Sequence, residues 1–113
     1  MSSVSLPAMS SSKVAAIAKL TAAEGQRDAL VKVMEQLVDA AAEEPGTEAY
    51  MLSLDNKNAD VIWFFELYTD KDALATHSNS PTMQTVIGQL SGLLAGAPEL
   101  NMLTPHRAAG VDL

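Results

Sequence analysis

The sequence predicts an α+β domain whose elements follow the order β-α-β-β-α-β. Apolar residues recur at helical spacing in two regions of the chain, and they alternate or run together in four short segments of strand length. Clusters of turn-forming residues separate these regions. With 113 residues, the chain is long enough for one hydrophobic core and too short for two, so a single domain is expected.

The first part of the chain is predicted to contain an arm, a strand and a helix. Residues 1–12 are rich in serine and are expected to form a flexible N-terminal arm, which leaves residues 13–113 as the domain. The segment KVAAIAKL (13–20) alternates in part and predicts the first strand. Thr21-Ala-Ala-Glu24 has capping-box spacing and predicts the start of a helix. The apolar face of that helix is formed by Leu30, Val33, Met34, Leu37, Val38 and Ala41.

A β-hairpin is predicted to follow this helix. Glu43-Glu44-Pro45-Gly46 ends the helix, and residues 47–54 then alternate as a strand. One face of this strand carries Tyr50, Leu52 and Leu54, and the other carries Ala49, Met51 and Ser53. The segment 55–60 is rich in Asp and Asn, which favour turns. The apolar run VIWFFELY (61–68) comes next. Because turn residues join the two strand patterns, the strands are expected to pair antiparallel.

Two short helices and a last strand complete the predicted order. Asp70 is expected to cap a helix over residues 71–77, and Ser80 to cap a second helix that has Pro81 at its first position. The apolar stripe of the second helix consists of Met83, Val86, Ile87, Leu90 and Leu94, and Gly96 and Pro98 are expected to end it. The segment ELNMLTPH (99–106) alternates and predicts a fourth strand at a sheet edge, because its proline cannot donate a ladder hydrogen bond.

This order is that of a ferredoxin-like fold, a four-stranded antiparallel sheet with its helices on a single face. The third strand is apolar on both sides. One side carries Val61, Trp63, Phe65 and Leu67, and the other carries Ile62, Phe64, Glu66 and Tyr68. The helices of the chain can cover only one of the two sides. The sequence therefore predicts a homodimer in which two sheets pack face to face.

The composition of the chain disfavours several classes of partner and excludes cysteine chemistry. Seven basic against fourteen acidic residues give a net charge of −7, which disfavours nucleic acid and anionic membranes as partners. A membrane span is not expected, because no run of 18 or more apolar residues occurs. The first residues do not resemble a secretory signal, so a cytoplasmic location is expected. The chain has no cysteine, which excludes disulfides and thiolate catalysis.

The segment FFELYTDKDALATHSNSP (64–81) and the element order resemble the antibiotic biosynthesis monooxygenase (ABM) family of dimeric α/β barrels. The likeness covers about residues 13–107. The residues that match the family pattern are Glu66, Tyr68, Ala73, His77, Ser80 and Pro81. Thr82 and Met83 stand where members often carry a histidine and an aromatic residue. The family includes quinol and polyketide monooxygenases, haem-degrading enzymes, an isomerase of a signalling sugar and members of unknown activity.

No cofactor and no metal are expected. Relatives that degrade haem carry Trp at the position of His77 and an iron-ligating histidine at the position of Ile87, and this chain has neither. His106 is expected to be an exposed terminal residue rather than an iron ligand. Two distant histidines make a poor metal site. Neither of the glycine-rich nucleotide motifs, G-x-G-x-x-G and the P-loop, occurs in the sequence.

The resemblance implies a cofactor-independent monooxygenase that oxidises a small aromatic, quinol-like or polyketide-like molecule with O2. In this interpretation His77 is the general base, Glu66 orients or stabilises the imidazole, and Tyr68 donates to a substrate oxygen. Candidate substrate-binding residues are Trp63, Phe64, Met83 and Asn101.

Other interpretations of the same residues remain open. His77 and Glu66 could be structural residues, and Trp63 and Met83 could be ordinary core packing. The protein could instead be a non-catalytic dimeric small-molecule-binding or degenerate member of the family, because one of two usual histidines is missing. A minor alternative is an isomerase of an enolisable sugar phosphate, which would need Arg or Lys for the phosphate.

Overall fold

The computed structural model describes residues 12–113. The predicted N-terminal arm lies outside the described residues except for Ser12. In chain order the elements are β1 (Val14–Thr21), α1 (Arg27–Ala41), β2 (Thr47–Leu54), β3 (Val61–Tyr68), α2 (Lys71–Ser78), α3 (Pro81–Gly88) and β4 (Glu99–Leu103). In the part of the chain described here, no helix combines the length and the apolar character that a membrane crossing requires.

The four strands form one antiparallel sheet in the order β2-β3-β1-β4. The ferredoxin-like α+β fold predicted from the sequence is therefore confirmed. β3 is a central strand, and β4 is an edge strand, as its proline-containing tail indicated. In the register of the sheet, Glu66 of β3 lies opposite Tyr50 of β2 on one side and opposite Ala16 of β1 on the other. This register places Glu66 in the middle of the sheet face.

The hydrophobic core lies between the helices and one face of the sheet, the inner face. Leu30, Met34 and Leu37 of α1 are buried in it, which confirms the predicted apolar face of that helix. Ile62 and Phe64 of β3 are buried against them. The inner face of β3 is thus the side that also carries Glu66 and Tyr68, as its alternation requires.

The opposite, outer face of the sheet exposes apolar side chains. Phe65 is 46% exposed and Met51 is 57% exposed. Both belong to one row across the sheet, in which Met51, Phe65, Ile17 and Asn101 lie opposite one another on neighbouring strands. Large apolar side chains in one contiguous row mark a surface that favours a partner.

Helix α1 begins later than the capping box predicted. Thr21 is the last residue of β1 and pairs with Val61, so it cannot cap a helix. Gly25 turns the chain with φ of 76°, and Gln26 precedes the first helical residue without capping it through its side chain. The predicted helix start was wrong because strand pairing of Thr21 outweighs the local capping pattern.

Helix α3 ends earlier than predicted, at Gly88 rather than near Gly96. The chain after it returns to the end of β1, where the backbone N–H of Ala23 donates to the carbonyl of Leu93 and that of Ala95 donates to Thr21. Leu94 pairs with Ala22 in an isolated bridge. Leu90 and Leu94 still pack against the core, but as part of an irregular return segment with a turn at residues 91–93. The last strand also ends early, at Leu103.

Candidate functional site

A cavity of about 260 Å³ lies between the inner face of the sheet and the helices. Its polar wall is formed by Tyr50, Glu66, His77 and Ser78. Most of the remaining wall is apolar and includes Met34, Phe64, Met83, Ile87 and Leu100. A larger and shallower groove of about 700 Å³ runs along the ends of β1 and β4, but none of the predicted site residues lines it. The cavity is therefore the candidate site.

Helix α2 brings His77 to the cavity. Asp70 caps the helix as predicted, because its Oδ1 accepts a hydrogen bond from the backbone N–H of Ala73 at 2.8 Å. Leu74 lies one turn before His77 and also lines the cavity, so this face of the helix is turned inward. The side chain of His77 is only 3% exposed.

The imidazole of His77 is held by Glu44, which lies between α1 and β2. Nδ1 of His77 is 2.9 Å from Oε1 of Glu44. The same carboxylate oxygen accepts a hydrogen bond from the hydroxyl of Thr47 at 2.7 Å. Because a carboxylate only accepts hydrogen bonds, Nδ1 is the donor in this pair.

The other ring nitrogen of His77, Nε2, is buried and has no hydrogen-bond partner within residues 12–113. The imidazole lies close to two aromatic rings, with its centroid 4.7 Å from that of Tyr50 and 5.5 Å from that of Tyr68. A buried polar atom without a partner is costly to a fold. Such an atom in the wall of an apolar cavity is typical of a ligand-binding or catalytic site.

Glu66 is paired with Tyr68, two residues further along β3. The hydroxyl of Tyr68 donates to Oε1 of Glu66 at 2.5 Å. Burial raises the pKa of Tyr68 above its usual range, and the hydrogen bond to Glu66 raises the pKa further. Burial also raises the pKa of Tyr50, with the charges of Glu66 and Glu44 adding to the effect. Both phenols therefore stay protonated around neutral pH.

Comparison with known proteins decides the family. Over residues 13–89, the sequence matches the family profile described as antibiotic biosynthesis monooxygenase. The chain belongs to this ABM family. A comparison with curated proteins finds no match.

Solved structures of ABM-like proteins share the fold. A candidate antibiotic biosynthesis monooxygenase from Chloroflexus aurantiacus is 30% identical, with a TM-score of 0.75 over 89% of this chain and 100% of that one. A Pseudomonas aeruginosa protein is 26% identical, with a TM-score of 0.80 over 86% of this chain and 97% of its own. A Mycobacterium tuberculosis protein is also 26% identical, with a TM-score of 0.81 over 88% of this chain and 100% of its own. Other similar structures are described as proteins of unknown function.

The structure brings together five of the seven site residues predicted from the sequence of this ABM protein. Glu66 and His77 line the cavity together with Phe64 and Met83. Tyr68 does not line the cavity itself, but its hydroxyl donates to Glu66, which does. The expected partner of the imidazole was wrong, however. Glu44 and not Glu66 contacts Nδ1, because Glu66 is engaged by Tyr68 and Glu44 is carried to α2 by the turn before β2.

Trp63 and Asn101 are not brought to the cavity. Trp63 belongs to the outer-face side of β3, and its indole N–H donates to Oδ2 of Asp55 at 2.9 Å. The ammonium of Lys19 lies 5.7 Å from the Trp63 ring centroid. Asn101 lies opposite Ile17 in the exposed outer row. Alternation along the strands separates both residues from the inner face, so they do not contact a ligand in the cavity of the same chain.

Two residues of the site were missed in the sequence analysis, Glu44 and Tyr50. Glu44 belongs to the segment Glu-Glu-Pro-Gly, which is typical of a helix end and gives no sign of a site residue. Tyr50 was placed on one face of its strand, but its position opposite Glu66 depends on the register of the hairpin. Within residues 12–113, no group of three or more His, Cys, Asp or Glu side chains is arranged to hold a metal ion. The cavity wall in the same range contains neither Lys nor Arg.

Proposed function

We propose that this ABM protein is a cofactor-independent monooxygenase that oxidises a small aromatic or quinol-like molecule with O2. One observation supports the proposal above the others. A buried imidazole lines an apolar cavity with one nitrogen bonded to a carboxylate and the other, Nε2, without a partner in the described chain. This arrangement suits a general base that takes a proton from a bound hydroxyl.

The chemistry needs only the substrate, O2 and a proton acceptor. Nε2 of His77 takes the proton of a phenol or quinol hydroxyl, and the resulting anion is a far better one-electron donor to O2. Electron transfer gives superoxide and a substrate radical, which combine at carbon to a hydroperoxide. Loss of water then leaves one oxygen atom on the substrate, while the second oxygen leaves in the water. For a quinol, the product is a hydroxyquinone. The imidazolium formed in the first step stabilises the substrate anion.

Glu66 is proposed to bind the second hydroxyl of a quinol. Its carboxylate lines the same cavity as His77, and Tyr68 donates to one of its oxygens. A carboxylate accepts several hydrogen bonds, so a substrate hydroxyl can bind beside Tyr68. Tyr68 therefore acts on the substrate through Glu66, in place of the direct contact expected from the sequence. Phe64 and Met83 supply the apolar wall for the ring.

The size of the cavity favours a ligand of one or two rings. Its volume of about 260 Å³ exceeds that of an apolar cavity that holds benzene, roughly 150 Å³. It is below the range of pockets for drug-sized ligands, roughly 300–1,000 Å³. A polyketide with several fused rings would not fit this volume without rearrangement of the wall.

The proposed assembly is a homodimer that buries the outer face of the sheet. Phe65 and Met51 are about half exposed in the single chain, and Leu103 on the edge strand is 43% exposed. At roughly 25 cal/mol per Å² of apolar surface removed from water, covering these side chains with the outer face of a second copy stabilises the pair. The inner-face cavity remains within each subunit.

A non-catalytic binding protein is the second candidate. It is favoured by Thr82 and Met83, which stand where ABM relatives often carry a histidine and an aromatic residue. Such a protein would bind the same aromatic ligands without consuming O2. The isomerase of a sugar phosphate is disfavoured, because the described cavity wall offers no Lys or Arg for a phosphate group.

Oxygen uptake tests the proposal directly. The purified full chain is incubated with a panel of one-ring and two-ring hydroquinones while dissolved O2 is followed. We expect substrate-dependent uptake, and His77→Ala should lower it by roughly 100-fold or more, the usual contribution of a general base. The matched control is His106→Ala, which removes the exposed histidine of the tail and should keep the wild-type rate. Binding without uptake would support the binding protein, and uptake that survives His77→Ala would overturn the assigned base.

A further inference from the structure

We infer that Glu44 is a positioning residue: it holds the proton of the neutral His77 imidazole on Nδ1, so that Nε2 is the nitrogen that accepts the substrate proton. The catalytic part of this inference rests on the proposed function. The structural part, that Glu44 fixes the tautomer of His77, is independent of the proposed function. It rests on the 2.9 Å contact between Nδ1 of His77 and Oε1 of Glu44, whose side chains are largely buried at 3% and 15% exposure.

Glu44 is itself held in place before any ligand binds. The hydroxyl of Thr47 donates to the oxygen that contacts His77. The backbone that follows Glu44 is also fixed, because the backbone N–H of Thr69 donates to the carbonyl of Gly46 at 2.9 Å. Gly46 lies so close to Ala73 of α2 that even a methyl group would overlap. The turn that carries Glu44 is therefore packed against the helix that carries His77, which keeps the pair aligned.

No other carboxylate replaces Glu44 at Nδ1. Glu66 lines the same cavity, but within residues 12–113 the carboxylate in contact with Nδ1 is that of Glu44, while Glu66 accepts from Tyr68. The rings of Tyr50 and Tyr68 lie beside the imidazole, tilted by 55° and 46° relative to it. Without the carboxylate, a neutral imidazole can carry its proton on either nitrogen. Every molecule with the proton on Nε2 would be unable to accept a proton from a substrate in the cavity.

The tautomer can be measured without any activity assay. Nitrogen NMR spectra of the full chain labelled in histidine report which ring nitrogen carries the proton, and His106→Ala assigns the two histidines. For wild type at a pH where His77 is neutral, we expect a single tautomer protonated on Nδ1. Glu44→Gln should convert this to a mixture, because an amide can either accept from Nδ1 or donate to it. Thr47→Val should cause a smaller change of the same kind.

The matched control is Glu43→Gln, which removes the same charge from the adjacent, exposed glutamate and should leave the tautomer unchanged. With an oxidisable hydroquinone, Glu44→Gln should lower kcat by about 10-fold or more, while KM stays within about twofold because the cavity wall is intact. A wild-type-like tautomer in Glu44→Gln overturns the inference even if oxygen uptake depends on His77. A tautomer that depends on Glu44 in a protein without uptake supports the structural part and contradicts the proposed function.

Discussion

The indole N–H of Trp63 donates to Oδ2 of Asp55 at 2.9 Å, and this hydrogen bond joins the start of β3 to the loop before it. The other oxygen of Asp55 accepts hydrogen bonds from the backbone N–H groups of Lys57 and Asn58, each at 2.8 Å. These bonds to the ionised form, the one from Asn58 most of all, lower the pKa of Asp55 from 3.8 to about 2. Asp55 is thus a structural carboxylate of the hairpin.

The first prediction is a loss of stability in acid that depends on Asp55. A carboxyl group with a depressed pKa in the folded state contributes stability that is present above its unfolded pKa and is lost as pH falls through its folded pKa. The free energy of unfolding of the wild type should therefore fall between about pH 4 and pH 2 more steeply than that of Asp55→Asn. Denaturant unfolding followed by fluorescence of Trp63, the single tryptophan of the chain, measures both curves.

Asp72→Asn is the control for this prediction, because Asp72 is an exposed aspartate of α2. That variant should keep the wild-type slope. If the free energy of unfolding falls equally steeply with pH in the wild type and in Asp55→Asn, the carboxylate of Asp55 contributes no stability over this pH range.

The second prediction concerns the close approach of Gly46 to α2. A Cβ atom at position 46 would overlap the Cβ of Ala73, which cannot move without its helix. Gly46→Ala should therefore destabilise the fold by about 1–3 kcal/mol and displace His77 from Glu44. Gly96→Ala is the control, since nothing lies within 4 Å of the corresponding position. If chemical denaturation finds the two variants equally stable, the packing of the turn against α2 is wrong.

The third prediction concerns the hydrogen bond between Tyr68 and Glu66. Tyr68→Phe leaves a carboxylate oxygen beside the cavity without its donor, which should cost about 1–3 kcal/mol. Tyr50→Phe is the matched control, because the hydroxyl of Tyr50 makes no hydrogen bond within the described residues, and its effect should be smaller. Urea unfolding at one fixed protein concentration compares them. Equal losses would mean that the Tyr68 hydroxyl contributes no specific interaction.

The fourth prediction is that the outer face of the sheet holds two copies together. Sedimentation at micromolar concentration should give about twice the chain mass of 11.9 kDa. Phe65→Glu places a charge in the centre of the exposed row and should give monomers. Leu54→Glu changes an equally exposed leucine on the inner-face side of β2 and should remain dimeric. A wild-type monomer would contradict the proposed assembly.

Much of the fold could be predicted because its signals are local. The bounds of β2 and β3 agree with the sequence analysis, since alternation and the Asp-Asn turn are short-range patterns. The caps at Asp70 and Ser80 were confirmed for the same reason. The start of α1 and the end of α3 were not predictable in this way. The start of α1 depends on the pairing of Thr21 with Val61, and the end of α3 depends on the bridge between Ala22 and Leu94, which are distant in the chain.

The candidate site also combines residues that local patterns predict with residues that only long-range contacts bring together. Strand alternation alone predicts that Phe64 and Glu66 share one face, and helix spacing turns His77 inward. Which of the two faces the helices cover could not be predicted, because both sides of β3 are apolar. The pairing of His77 with Glu44 joins residues 33 positions apart and leaves no local pattern. The position of Tyr50 opposite Glu66 required the hairpin register, which a shift of one residue in the loop would change.

The most direct test of the candidate site is to map where a phenol binds. The labelled full chain is titrated with 2-naphthol in the absence of oxygen, and NMR signals of the inner and outer sheet faces are followed together. The imidazole of His77 and the methyl group of Met83 should shift in a saturable way, while the indole N–H of Trp63 should not move. A saturable shift at Trp63 with His77 and Met83 unchanged would place the ligand on the opposite face of the sheet and contradict the site.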